Sequence, residues 1–283
     1  MAPLEILKPR SLTEAVGMLA DNGEDARPVA GATAITLLLR QRLITPRYLV
    51  SLNDLPGLNR IERQDAALQL GALVTHREVE QSPIVRESIP VLASTFGRVG
   101  NVRVRNMATV GGVVAEADYA SDPPCVLLAL DARIEVWGPG GGRAIAIADF
   151  FKGFYETALA AGEIVTGVSV PIPPAGTRAV YQKYVTRSSE DRPCVGVAAI
   201  AHFDGHTCTR LSVAVGAATE TPQRLPQSEA LARGLRLTED VARAVADGYA
   251  DTLDTMTDLR GSAWYRTEMI RVWVRRAILE TAA

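Results

Sequence analysis

Pro28-Val29-Ala30-Gly31-Ala32-Thr33-Ala34, answered far along the chain by Asn106-Met107-Ala108-Thr109-Val110-Gly111-Gly112, is the pair of stretches that decides how this sequence folds. Each is a loop of small residues joining an apolar run to another structured element. Glycine lets backbone approach a ligand closely and leaves N–H groups free to donate to phosphate oxygens. The pair therefore reads as two loops closing on one phosphorylated cofactor, a diphosphate site built without metal or lysine. Neither loop is Gly-x-Gly-x-x-Gly, and no Gly-x-x-x-x-Gly-Lys-Ser/Thr occurs, so the Rossmann motif and the P-loop are not supported.

Working outward, residues 27–31 read as a strand entering the first loop, 34–43 as a leucine-rich helix, and 48–52 as a strand ended by Asn53-Asp54-Leu55-Pro56-Gly57. Ser11-Leu12-Thr13-Glu14 has the form of a capping box opening a short helix. These elements make a first unit, residues 1–57. A second, 58–172, holds a strand at 68–72, a capping box at Thr75-His76-Arg77-Glu78 and a helix from Pro90 toward the second loop. Ser121-Asp122-Pro123-Pro124 then supplies an N-cap and early prolines to a helix through Leu130. A hairpin of 133–137 and 144–147, joined by Gly138-Pro139-Gly140-Gly141-Gly142, and a strand at 163–170 complete it. Pro171-Ile172-Pro173-Pro174-Ala175-Gly176 marks a boundary, because close prolines disfavour helix and central strand alike. The third unit, 177–283, reads as strands at 181–186, 195–203 and 211–217, with a turn at Asp204-Gly205, followed by helices broken near Gly234 and at 258–261.

A chain of 283 residues with 47% apolar and 22% charged residues is large enough for more than one core. Its net charge of −2, from 30 basic and 32 acidic residues, gives no general attraction to nucleic acid or a membrane surface. No run approaches the ~20 apolar residues of a membrane span, and Met1-Ala2-Pro3-Leu4-Glu5-Ile6 lacks the regions of a signal peptide, so a cytoplasmic location is expected. Cys125, Cys194 and Cys208 are odd in number and widely spaced, which fits buried thiols rather than disulfides or a cluster site.

Asp118 and Asp122 follow the second loop and can accept from the hydroxyls of a ribose or ribityl chain; Ser121 or Asp122 can equally cap the next helix. Arg98, Arg103 and Arg105 offer cations to a diphosphate or a partner protein, with a solvated surface as the plainer reading. His76 reads as a surface residue at a helix start. His202 and His206 flank Asp204-Gly205, which places them in a hairpin rather than on the helical face that aligns two metal ligands. No Gly-x-Ser-x-Gly elbow occurs, and no serine or cysteine is placed with a histidine as a nucleophile pair. A binding site without catalytic acid–base residues results.

Val29-Ala30-Gly31-Ala32-Thr33, Arg105-Asn106-Met107-Ala108-Thr109-Val110-Gly111-Gly112, Ala120-Ser121-Asp122 and Tyr181-Gln182-Lys183-Tyr184 together resemble the FAD-binding medium subunits of molybdenum hydroxylases. These are the flavoproteins of the xanthine dehydrogenase and aerobic carbon monoxide dehydrogenase group. The resemblance runs from Leu12-Thr13-Glu14-Ala15 into the sheet domain after the proline-rich boundary. It implies an α+β fold: a p-cresol methylhydroxylase-type FAD-binding fold of two subdomains plus a C-terminal α+β domain.

By the same resemblance, Ala30, Gly31, Ala32, Thr33, Ala34, Ile35 and Thr36 would wrap the FAD diphosphate. Thr109, Gly111 and Gly112 would form the second loop of the site, Asp122 would contact the cofactor, with Asp118 beside it read as a contact from its place after the loop alone, and Val165 and Lys183 would lie near the flavin ring. Lys183 could stabilise negative charge on reduced flavin, the alternative being an ordinary surface lysine. Many relatives have a second glycine where Ala32 stands and an asparagine where this chain has Val113. No histidine or cysteine lies in either loop, so the FAD is expected to be non-covalent.

The implied partners are a large subunit with the molybdenum cofactor and a small subunit with 2Fe-2S clusters, as a dimer of heterotrimers. The cofactor here would take electrons from those clusters and pass them to an external acceptor. The alternatives are a free-standing FAD-dependent oxidase or dehydrogenase of the same superfamily, and a non-catalytic nucleotide-binding scaffold.

Overall fold

The computed structural model describes residues 4–283, so the first three residues of the opening stretch read above lie outside the described residues. A parallel three-stranded sheet carries the first loop. Its strands β1 (Glu5–Leu7), β2 (Ala26–Val29) and β3 (Tyr48–Ser51) lie in the order β1-β3-β2. Helix α1 (Leu12–Asn22) buries Ala15, Val16 and Leu19 in the small core beside this sheet. Its cap differs slightly from the expected box. The Ser11 hydroxyl accepts from the Glu14 N–H, but the Glu14 carboxylate reaches one residue further back, to the Arg10 N–H at 2.6 Å. β2 ends at the first loop, and α2 (Thr33–Arg40) leaves it.

The second sheet is antiparallel, in the order β4-β5-β10-β6-β7, with β4 (Ile61–Gln64), β5 (Ala67–Gly71), β6 (Arg133–Gly138), β7 (Gly141–Ala146) and β10 (Ile164–Pro171). Between β7 and β10 come the one-turn helix α9 (Ile147–Phe150) and the small ribbon of β8 (Phe151–Gly153) with β9 (Glu156–Thr157). The β6–β7 hairpin is tighter than its glycines suggested: pairing continues to Gly138 opposite Gly141, leaving Pro139 and Gly140 as the turn.

Between β5 and β6 runs a series of short helices: α3 (His76–Gln81), α4 (Pro83–Ser88), α5 (Pro90–Phe96), α6 (Val102–Arg105), α7 (Val110–Glu116) and α8 (Asp122–Ala129). Proline or a polar cap opens most of them, which keeps each short. At Thr75 both halves of the expected capping box are present. α8 is buried on all sides, so its apolar run shows no helical stripe.

The third sheet is β11 (Thr177–Tyr184), β12 (Val195–Asp204), β13 (Thr207–Gly216) and β14 (Gln223–Arg224), antiparallel in that order. The period of two along β12 sorts its side chains. Ala198 and Ile200 join the core containing α8, while Val195, Val197, Ala199 and Ala201 join the core built on α11 (Glu239–Thr252) and α12 (Ala263–Ala282). The one-turn α10 (Pro226–Ala230) precedes them. Burial on both faces is why this strand reads as a continuous apolar run. Cys125, Cys194 and Cys208 are buried thiols. No helix among the described residues is long and apolar enough to cross a membrane.

Candidate cofactor-binding site

The two small-residue loops meet backbone to backbone. A Cβ placed on Gly31 would stand 1.7 Å from the Met107 carbonyl oxygen and 3.3 Å from the Ala108 Cα. Only glycine permits that approach. The second loop is fixed from below, where the His76 N–H donates to the Ala108 carbonyl at 2.8 Å and Thr75 bridges to Thr109.

The first loop is a cluster of open donors. Among the described residues, the N–H groups of Gly31, Ala32, Thr33, Ala34 and Ile35 reach no protein acceptor, whereas the Thr36 N–H closes on the Ala32 carbonyl at 3.1 Å. Ala32 is left-handed, at φ 57, and the chain turns directly into α2. A left-handed residue followed by right-handed ones gathers successive N–H groups into a concavity suited to an anion, here at the positive end of a helix. The residues are half-buried, so these N–H groups are open to water or to an anionic ligand.

The second loop behaves differently from the expectation that its glycines leave N–H groups free. The Val110 N–H goes to the Val74 carbonyl at 2.9 Å, and that of Gly111 to the Ala72 carbonyl at 2.8 Å. Gly112 donates to the Thr109 hydroxyl oxygen at 3.1 Å. These donors are engaged because they begin α7 and pin it to the end of β5. The glycines serve close approach instead. A Cβ on Gly111 would lie 2.6 Å from the Ala72 Cβ, while one on Gly112 would touch only Thr109 Oγ1, at 2.9 Å, and otherwise enter open space. The second loop is thus a smooth wall facing the donor cluster, and the Thr109 hydroxyl keeps its own proton to donate.

Asp122, only 3% exposed at the start of α8, accepts from Tyr181 Oη at 2.7 Å and from Lys183 Nζ at 3.0 Å. Burial pushes its carboxyl up against the opposing pull of Lys183 and Tyr181. The Lys183 ammonium also donates to the Arg98 carbonyl at 2.8 Å, and its side chain is 6% exposed, which sets aside the surface-lysine alternative. Asp118 accepts from the Ala120 N–H at 3.1 Å and pairs with Arg192 at 2.6 Å. Each carboxylate keeps lone pairs beyond these partners. Ser121 makes no side-chain cap bond, because the following prolines leave few N–H groups to cap. Val165 packs into the main core beside a bulge in β10 whose Thr166 carbonyl accepts from the Ala72 N–H at 3.0 Å.

Two surface readings need correction. His76 is 1% exposed, and both ring nitrogens lack a partner among the described residues. Its ring meets Phe96 edge-on with centroids 4.9 Å apart, and burial holds its pKa down, to about 4. Arg105 is half-buried, with its guanidinium on Glu80 at 3.0 Å and on the carbonyls of Val99 and Gly100. Arg98 donates to the Tyr181 carbonyl at 2.6 Å yet is exposed, as Arg103 is, so of the three arginines only Arg105 departs from the surface reading. Arg98, Arg105 and Lys183 line a cavity of about 480 Å³ together with Glu190. Sequence reasoning missed Tyr181, Arg192 and Tyr119, whose roles depend on contacts across long stretches of chain.

Open donors on one loop, close-packed glycines on the other and two buried carboxylates after it are the features of a ligand-binding protein rather than of an acid–base catalyst. Residues 2–173 match the family described as FAD binding domain in molybdopterin dehydrogenase, and residues 180–281 match CO dehydrogenase flavoprotein C-terminal domain. The chain belongs to this family of FAD-binding subunits. It is 32% identical to the glyceraldehyde dehydrogenase medium chain of Sulfolobus acidocaldarius, over 98% of this chain and 97% of that one. Among solved structures it is similar to Cu,Mo-CO dehydrogenase in its cyanide-inactivated form, with a TM-score of 0.95, 30% identity and coverage of 100% and 99%. Quinoline 2-oxidoreductase from Pseudomonas putida 86 superposes with a TM-score of 0.94 at 31% identity, covering 100% and 97%.

Proposed function

We propose that this chain is the flavin subunit of a molybdenum-containing hydroxylase or dehydrogenase, joined to a large molybdenum-cofactor subunit and a small 2Fe-2S subunit as a dimer of heterotrimers. The observation that carries this reading is the run of open N–H groups from Gly31 to Ile35, faced by the glycine wall of the second loop. The flavin supplies the chemistry of accepting electrons singly from clusters and yielding them in pairs to an external acceptor.

The protein binds and orients. Residues 30–36 hold the diphosphate, with the hydroxyls of Thr33 and Thr36 as added donors. Thr109, Gly111 and Gly112 close over it without covalent attachment. Asp118 and Asp122 accept from hydroxyls of the cofactor. Val165 marks the region of the flavin ring, and Lys183 sets a positive charge there that favours an anionic reduced ring. In this reading residues 1–57 and 58–172 are the two FAD-binding subdomains, and 177–283 is the C-terminal domain. The buried thiols suit a cytoplasmic setting.

Untagged purification from the source cells tests this. Recovery of a complex with two further chains, FAD, molybdenum and iron is the expected result. A lone yellow protein that oxidises a small molecule would show a free-standing flavoenzyme, and a chain without flavin would leave only a scaffold.

A further inference from the structure

Segment 118–122 joins α7 to α8 and contains both carboxylates assigned to the cofactor. Its polar groups are held largely from the C-terminal unit. Asp118 Oδ2 pairs with Arg192 at 2.6 Å, in the connection between β11 and β12. The Tyr119 carbonyl accepts from the Ala217 N–H at 3.2 Å, just past β13. Tyr119 Oη donates to Asp258 Oδ2 at 3.0 Å and accepts from Arg260 Nη1 at 3.1 Å, ahead of α12. Asp122 takes its donors from Tyr181 and Lys183 on β11. The FAD-binding body offers Tyr119 the edges of Phe154 and Tyr155.

Asp258 is fixed in its turn. It accepts from Arg266 Nη2 at 2.6 Å, from the Arg260 N–H at 2.7 Å and from Arg260 Nη1 at 2.6 Å. Arg266 is 0% exposed and donates to the Met256 carbonyl at 3.0 Å. Met256 donates to the Ala218 carbonyl at 3.0 Å, which ties this network to the end of β13. Burial raises the Asp258 carboxyl, but the bonds from Arg266, Arg260 and Tyr119 outweigh it and hold the pKa at about 2. The acceptor for Tyr119 therefore stays ionised, and a connected set of this kind fixes geometry more firmly than its separate bonds.

We propose that the C-terminal unit is a positioning element for the cofactor: Arg192, Tyr119 and Asp258 set where the Asp118 and Asp122 carboxylates stand. This rests on the reading of those carboxylates as FAD contacts. Carboxylates misplaced by a fraction of an ångström lose hydrogen bonds to the ligand while the fold persists.

The test is FAD titration into the FAD-free full chain, read by flavin fluorescence and visible circular dichroism, beside the thermal midpoint of the FAD-free chain. Tyr119→Phe and Arg192→Met should each raise the FAD dissociation constant about tenfold and alter the visible dichroism, with the midpoint lowered by no more than a few degrees. Arg192→Lys should recover most of the affinity. Wild-type affinity and dichroism in both variants would overturn the proposal, as would a midpoint falling in step with affinity, which marks a purely structural role. A wild-type chain that takes up no FAD would contradict the functional reading itself, and this proposal with it. Arg192 is more than half exposed, so its variants serve even if Tyr119→Phe fails to fold.

Discussion

Gly31 and Met107 lie in such close backbone contact that a methyl on Gly31 would stand 1.7 Å from the Met107 carbonyl oxygen. The two loops therefore form one structure. Gly31→Ala should separate them, with a loss of about 1–3 kcal/mol in the FAD-free chain and loss of bound FAD. Gly112→Trp makes the contrasting case: its Cβ meets only the Thr109 hydroxyl, which must give way, so it should block the cofactor at a smaller cost to the fold than Gly31→Ala. Flavin content and urea unfolding of both variants check this, and full FAD content in Gly112→Trp would contradict the placing of the second loop.

Ala32 holds φ 57 with a side chain that disfavours it. A glycine there would remove that strain but add freedom to the unfolded chain. Ala32→Gly should raise stability by about 0.5–1 kcal/mol and leave FAD binding in place. Chemical denaturation measures it, and a loss of stability would show that the alanine methyl makes a needed contact.

The Asp122–Lys183 pair is buried at 3.0 Å. Lys183→Met leaves the buried Asp122 carboxyl without its cation and should cost about 3–5 kcal/mol. The double variant Asp122→Asn/Lys183→Met should cost less than the sum of its singles, because the stranded charge is gone. A double-mutant cycle by urea unfolding reads the coupling, and strict additivity would mean that the two groups do not depend on each other.

His76 sets a pH dependence. Its pKa in the folded chain is about 4, below the ordinary value near 6.5. The unfolded chain therefore takes up the proton first as pH falls. The contribution is fully present above about pH 6.5 and is lost as pH drops toward 4, up to about 3 kcal/mol. Because neither ring nitrogen has a partner, His76→Leu should be near neutral in stability at pH 7.5 and should flatten the acid slope. Unfolding curves between pH 7.5 and 4.5 test this, and an unchanged slope would assign the acid sensitivity to other groups.

Much of the fold was legible because its signals are local. Thr75 and Glu78 cap their helix as spaced, the strand and helix around the first loop follow its apolar pattern, and the β12–β13 turn falls beside Gly205. β1 was too short to show a period. His76 was misread because burial at a helix start depends on Phe96 and on the second loop, both distant in sequence. The state of the glycine N–H groups was also hidden: whether Gly111 is free depends on where the Ala72 carbonyl lies, which no spacing reports. Lys183 could be singled out by resemblance, while its burial under Asp122 required the third sheet to be in place.

The open donors from Gly31 to Ile35 are proposed to hold a diphosphate. Calorimetric titration of the FAD-free full chain with FAD and with riboflavin tests it most directly. Riboflavin has the ring but lacks the diphosphate and the adenosine beyond it, so ADP and adenosine are added as competitors: ADP should displace FAD, and adenosine should not. Saturable FAD binding is expected, with riboflavin binding weaker by about a hundredfold or more, chiefly from the loss of several charge-assisted hydrogen bonds. Riboflavin binding as tightly as FAD, or no FAD binding at all, would contradict it.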